Sequence, residues 1–209
     1  MKFDKEFKEA IIELPTIEKD RLLLRLLKKD LALARRFYFE LVSTDTVDEC
    51  RTVIEHKVIE TVSRASDRFY SVALLMKDLR YLSGDITEHV KTTKDKFGEV
   101  SLNLLMVIEV LRLNNTKLKF LPESNVHKLY IYIIARVFKI LTLINTLHDD
   151  FYVEFETHLH TLGELISSNN YLMKTAIYNG FDVNWLLNAD IPENIAAIHK
   201  EVKQQGYLK

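Results

Sequence analysis

Between His148 and Leu165 the chain reads HDDFYVEFETHLHTLGEL, three histidines and five carboxylates in eighteen residues. No other segment is as rich in groups that bind metals or move protons, so it is the first place to look for chemistry. The spacing of the histidines decides what it can do. On a strand His158 and His160 would share a face, but on a helix their side chains diverge by roughly 160°. Phe151, Phe155, Leu159, Leu162 and Ile166 recur at helical spacing and mark the segment as a helix. His160 then falls roughly 140° from the centre of the apolar face, beside Glu156 and Glu164, while His158 lies on its flank one turn after Glu154. One ion cannot take both histidines. A metal here would have to be built on His158 and Glu154, and the preferred reading is a solvated helix face.

His148 and Asp149 stand at the start of that helix. With His127 upstream and Asp182 or Asp190 downstream, the order His…His-Asp…Asp resembles the metal-ligand order of HD-type phosphohydrolases. That resemblance implies a metal-activated water acting on a phosphate ester. It is a match of order over four residues, and the sequence DFYVEF that follows lacks the small residues of that family. The competing reading is a helix cap, with Asp149 or Asp150 accepting from the first free amides and complementing the helix dipole.

Arg51 and His56 give a third candidate. The stretch Arg51-Thr-Val-Ile-Glu-His56 resembles the Arg-x(4–6)-His signature of HEPN-type helical ribonucleases. Ten arginines and seven histidines in 209 residues produce about one such match by chance. His56 points away from the stripe Val47, Cys50, Ile54, Val58 and Val62, so it is expected at the surface. Glu109 is the only carboxylate in the apolar run LNLLMVIEVLRL and is expected to pair with Arg112 or Arg136, because an unpaired buried carboxylate is costly. Glu-x-x-His is absent, which removes di-iron carboxylate chemistry. Walker-type loops, Gly-x-Gly-x-x-Gly and Gly-x-Ser-x-Gly are absent too.

The elements that must position these residues are helical throughout. Apolar spacing predicts helices near 2–13, 16–28, 31–42, 47–66, 68–82, 86–95, 98–113, 123–147, 150–167, 170–178, 183–188 and 193–205. Thr46–Glu49 and Asp85–Glu88 have the pattern of capping boxes, and Ser83-Gly84 reads as a helix stop. Pro15, Pro122 and Pro192 fit first turns, where a missing N–H costs nothing. The segments VSLNLLMVIEVLRL and LYIYIIARVFKILTLINTL are apolar around most of their circumference and must lie at the centre. The expectation is one all-α domain over 1–209, with a possible subdivision near Ser83-Gly84. Its architecture is an irregular bundle or a short HEAT-like stack of helix pairs, with ten to twelve helices.

Composition narrows the function. A net charge of −1 gives no general attraction to nucleic acid or anionic lipid. Cys50 is the only cysteine, so neither an intrachain disulfide nor a cysteine zinc site is available. No uncharged run is long enough to span a bilayer, and a cytoplasmic protein without a cofactor is expected. Charge is unevenly placed: residues 19–36 hold seven basic side chains against two acidic, and 140–173 hold five acids with no Lys or Arg. On the helix near 16–28, Arg21, Arg25, Lys28 and Lys29 fall within roughly 100° of arc, with Leu22, Leu23, Leu24, Leu26 and Leu27 expected to claim the core. The first reading is therefore a non-enzymatic helical module that binds another protein or itself through this cationic patch. The second is a metal-dependent phosphohydrolase using His127, His148 and Asp149, and the third a nucleic-acid-binding or RNA-cleaving protein using Arg51 and His56.

Overall fold

The computed structural model describes residues 3–208, the Asp149 side chain excepted. The chain is about 80% helical, with eleven α-helices and no strand among the described residues. In order they are α1 (Lys5–Glu13), α2 (Thr16–Lys29), α3 (Leu31–Leu41), α4 (Val47–Asp67), α5 (Val72–Thr93), α6 (Lys96–Lys119) and α7 (Glu123–Ile144). A short 3₁₀ turn (Asp149–Phe151) leads into α8 (Tyr152–Ser167), followed by α9 (Asn170–Tyr178), α10 (Asn184–Leu187) and α11 (Ile195–Gln204).

The chain divides into two compact units, and the division is not at Ser83-Gly84. The smaller runs to Asp45 and includes Lys91–Thr93, the last turn of α5; the larger holds Thr46–Val90 and everything from Lys94 onward. The larger unit is an irregular bundle built around α6, which packs against α4, α7 and α8. Buried residues occur on every side of α6, from Val100 to Leu118, as its all-round apolar sequence requires. Helix α7 in turn meets α9 and α11, and α8 meets α9 and α10.

Polar side chains pin this core. Asn169 caps α9 by accepting from the Leu172 N–H at 3.1 Å, and its amide donates to Asn115 Oδ1 and to the Tyr130 hydroxyl, both at 2.8 Å. The Asn115 amide continues to the Leu165 carbonyl at 2.8 Å. One buried chain of hydrogen bonds thereby links α6, α7, α8 and the start of α9, each polar atom sparing another a desolvation cost.

The capping box at Thr46 and Glu49 forms in both directions, and Pro15 and Pro122 stand just ahead of α2 and α7. Ser83-Gly84 is a correction. Instead of ending a helix, the pair sits inside α5, and Asp85–Glu88 is helix interior rather than a cap. The reason lies in what Ser83 touches. Its hydroxyl bonds back to the Leu79 carbonyl at 2.8 Å and meets the Tyr132 hydroxyl at 2.5 Å, and Arg136 donates to it at 2.8 Å. Tertiary partners from α7 thus hold a weak helix-forming pair in helical geometry.

Candidate functional site

The candidate histidines sit on α4, α7 and α8 and, for His148, in the segment that follows α7. His127 lies in the first turns of α7 and its Nδ1 meets the Tyr171 hydroxyl at 2.9 Å. His148 follows the end of α7, exposed, with Nδ1 3.1 Å from Asp150 Oδ2. At about 1.5 Å of rise per residue, the helix between them separates the two by roughly 25 Å or more. A metal site using both is therefore not assembled by this fold. The Asp149 side chain lies outside the described residues, and Asp182 instead accepts from the Asn184 N–H at 2.9 Å to open α10.

On α8 the histidines splay as their spacing dictates. Phe155, Leu159, Leu162 and Ile166 are buried, while Glu154, His158 and His160 are exposed. His160 stands 3.8 Å from Glu164, one turn on. Among the described residues no group of three or more His, Cys, Asp and Glu side chains is placed to hold a metal ion. Glu154 and His158 do converge with His56 of α4, all three lining one cleft between α4, α6 and α8. Residues that the sequence offered for two different chemistries thus line one cleft, without becoming a metal set.

Arg51 is not beside His56 in any working sense. Its Nε and Nη2 donate to Asp95 at 2.6 and 2.9 Å, and its guanidinium lies 5.0 Å from the centre of the Phe97 ring. His89 Nε2 stands 3.1 Å from the same carboxylate, and the Gly98 N–H donates to it at 2.7 Å. Burial alone would raise the Asp95 pKa, but the hydrogen bonds from His89, Arg51 and Gly98, with the Arg51 charge, hold it well below the ordinary carboxylate range. An ionised carboxylate only accepts, so the His89 proton facing it sits on Nε2. This buried cluster joins α4, α5 and the N-terminus of α6. Sequence reasoning found Arg51 and missed its partner, which lies 44 positions away. The one legible signal was an Asp just before a helix start, an N-cap pattern.

Glu109 is paired with Arg112, Nη2 to Oε2 at 2.7 Å. Arg136 goes elsewhere, to Asn103 Oδ1 at 3.1 Å and to Ser83.

The cationic face of α2 is present, with Arg21, Arg25, Lys28 and Lys29 all exposed. The leucines opposite it are a correction. None of them is buried: Leu22 and Leu27 are half-covered, and Leu23, Leu24 and Leu26 are exposed. The same holds across α1, α2 and α3, which contain no buried residue at all. Large apolar side chains stand exposed from Phe3 and Phe7 through Ile12, Ile17 and Leu24 to Leu41. An apolar stripe is buried only where something covers it, and three short helices have too few neighbours in their own unit. No known family, characterised protein or solved structure matches the chain. Among the described residues no helix is long and apolar enough to cross a membrane.

Proposed function

We propose that this chain is a non-enzymatic helical assembly module whose N-terminal helices α1–α3 pack against a second copy. The observation that carries the reading is the exposed apolar surface of residues 3–42, in helices without a buried residue. Large apolar side chains exposed in such number on a folded chain are what a contact site presents. A second copy fits it in charge as well. Helix α1 and its cap carry four acids, Asp4, Glu6, Glu9 and Glu13, against Lys5 and Lys8, whereas residues 19–36 hold seven basic side chains against two acidic. Two copies related by a two-fold axis can place each against the other, which is how isologous interfaces close. The apolar side chains supply the affinity and the charges set register and salt dependence.

Light scattering on the full chain, over a wide concentration range at low and high salt, tests this. The expected result is a dimer or larger species. Arg25→Glu with Lys28→Glu should weaken it mainly at low salt, since exposed charges are screened beyond about 8 Å in physiological salt. Leu24→Glu should weaken it at every salt. A wild-type monomer at all concentrations overturns the reading. Binding of that monomer to anionic vesicles, lost in the charge-reversed variant, would make the surface a lipid contact instead.

A further inference from the structure

A cleft of about 370 Å³ opens between α4, α6 and α8, lined only by residues of the larger unit. Its inner wall is apolar: Leu104 and Phe155 are buried, Phe97 and Leu105 half-buried, and the Phe97 and Phe155 rings lie 5.0 Å apart. Its outer lining is Glu55, His56, Glu154 and His158, of which only Glu55 is half-buried. Neither Lys nor Arg lines it among the described residues.

Three carboxylates elsewhere in the bundle are each held by a cation. Asp95 is gripped by Arg51 at 2.6 Å, Asp85 by Lys57 at 2.8 Å and Glu99 by Lys139 at 2.7 Å. Glu55 and Glu154 have no Lys or Arg within ion-pair distance among the described residues. Arg51 is the cation that senses Glu55, and its hydrogen bonds go to Asp95, so Glu55 acts on it only as a more distant charge. Phe97 meanwhile already holds that guanidinium against its ring. A half-buried carboxylate without a partner, beside aromatic faces in a concave apolar cleft, is the complement of a cation on an apolar stem.

We infer that this cleft binds a small amphipathic organic cation, a primary ammonium group on an aromatic or short alkyl body. The body lies against Phe97, Phe155 and Leu104, and the ammonium group is held at the mouth by Glu55 and Glu154. Charge-assisted hydrogen bonds fix orientation and exclude anions, while the apolar wall supplies contact area.

The test is calorimetric titration of the full chain with phenethylammonium chloride, with 3-phenylpropionate and phenethyl alcohol as anionic and neutral counterparts of similar shape. The cation should bind at least about tenfold more tightly than either, a difference worth about 1.4 kcal/mol. Glu55→Gln should remove most of that preference, and Glu55→Gln with Glu154→Gln all of it. Both variants keep the shape of the cleft, and their circular dichroism should match the wild type. Equal affinity for the three probes overturns the inference, as does the absence of saturable binding up to about 10 mM. Retention of the preference in the double variant would also overturn it.

Discussion

Arg51 holds Asp95 through two nitrogens, at 2.6 and 2.9 Å, across 44 positions of sequence. The pair is nearly enclosed, with side-chain exposures of 18% and 3%, and it also anchors His89 and the first turn of α6. Asp95→Ala leaves an imidazole N–H and a backbone N–H without their acceptor and leaves the Arg51 guanidinium only Asp48, at 3.1 Å. Breaking such a buried pair costs roughly 3–5 kcal/mol. Urea denaturation should show a loss of that size, and a loss below about 1 kcal/mol would mean water replaces the carboxylate freely.

Gly98 has no room for a side chain. A Cβ at that position would stand 1.9 Å from Asp95 Oδ2 and 2.8 Å from Arg51 Nε. In Gly98→Ala the carboxylate must move away from both its cap and its arginine. The expected cost is at least the roughly 1–3 kcal/mol of an overpacked core, despite alanine's better helix propensity. A thermal midpoint equal to or above that of the wild type would refute the tight packing.

Acid should weaken the fold in two stages. His199 is stacked on Phe138 at 4.9 Å, and burial, with a smaller push from Lys203, lowers its pKa. The unfolded chain therefore takes up this proton first, and stability declines as pH drops below about 6.5. Asp95 has a depressed pKa, so its contribution is complete above about pH 4 and is lost as pH falls further. Denaturation midpoints measured from pH 8 to 3 should show both declines. Asp95→Asn should flatten the lower one and His199→Phe the upper.

Glu109 should matter less than its apolar surroundings imply. Its partner Arg112 is 63% exposed, so losing the carboxylate leaves a cation that water already solvates. Glu109→Gln is expected to cost about 1 kcal/mol or less. A cost of 3 kcal/mol or more in urea melts, the range of a broken buried pair, would show that water does not compensate Arg112.

Periodicity made most of the helices legible because each buries a face against neighbours that are apolar in the same way. The central roles of α6 and α7 followed from residues such as Val107 and Ile134, which with their neighbours leave only a narrow polar stripe for water. Ser83 misled because its partners, Tyr132 and Arg136, are remote in sequence and turn a helix-stopping pair into a junction. Asp95 was hidden for the same reason: a cap is a local pattern, but its grip on Arg51 is a tertiary fact. The leucines of α2 misled in the opposite direction. A helix wheel gives the direction a side chain points and says nothing of whether anything stands there. The cleft was invisible because concavity belongs to the packing of α4, α6 and α8 together.

Helices α1–α3, with no buried residue, have a consequence for how the chain meets proteases. Isolated helices of 9, 14 and 11 residues fall at or below the length that persists alone in water. If copies pair through these helices as proposed, their order follows mass action, deepening as copies accumulate and fading on dilution. A dilute chain would be clipped first before Asp45, leaving the bundle around α6 as a durable fragment, whereas a concentrated one would resist along its whole length. Turnover of the protein would in this way report its own abundance.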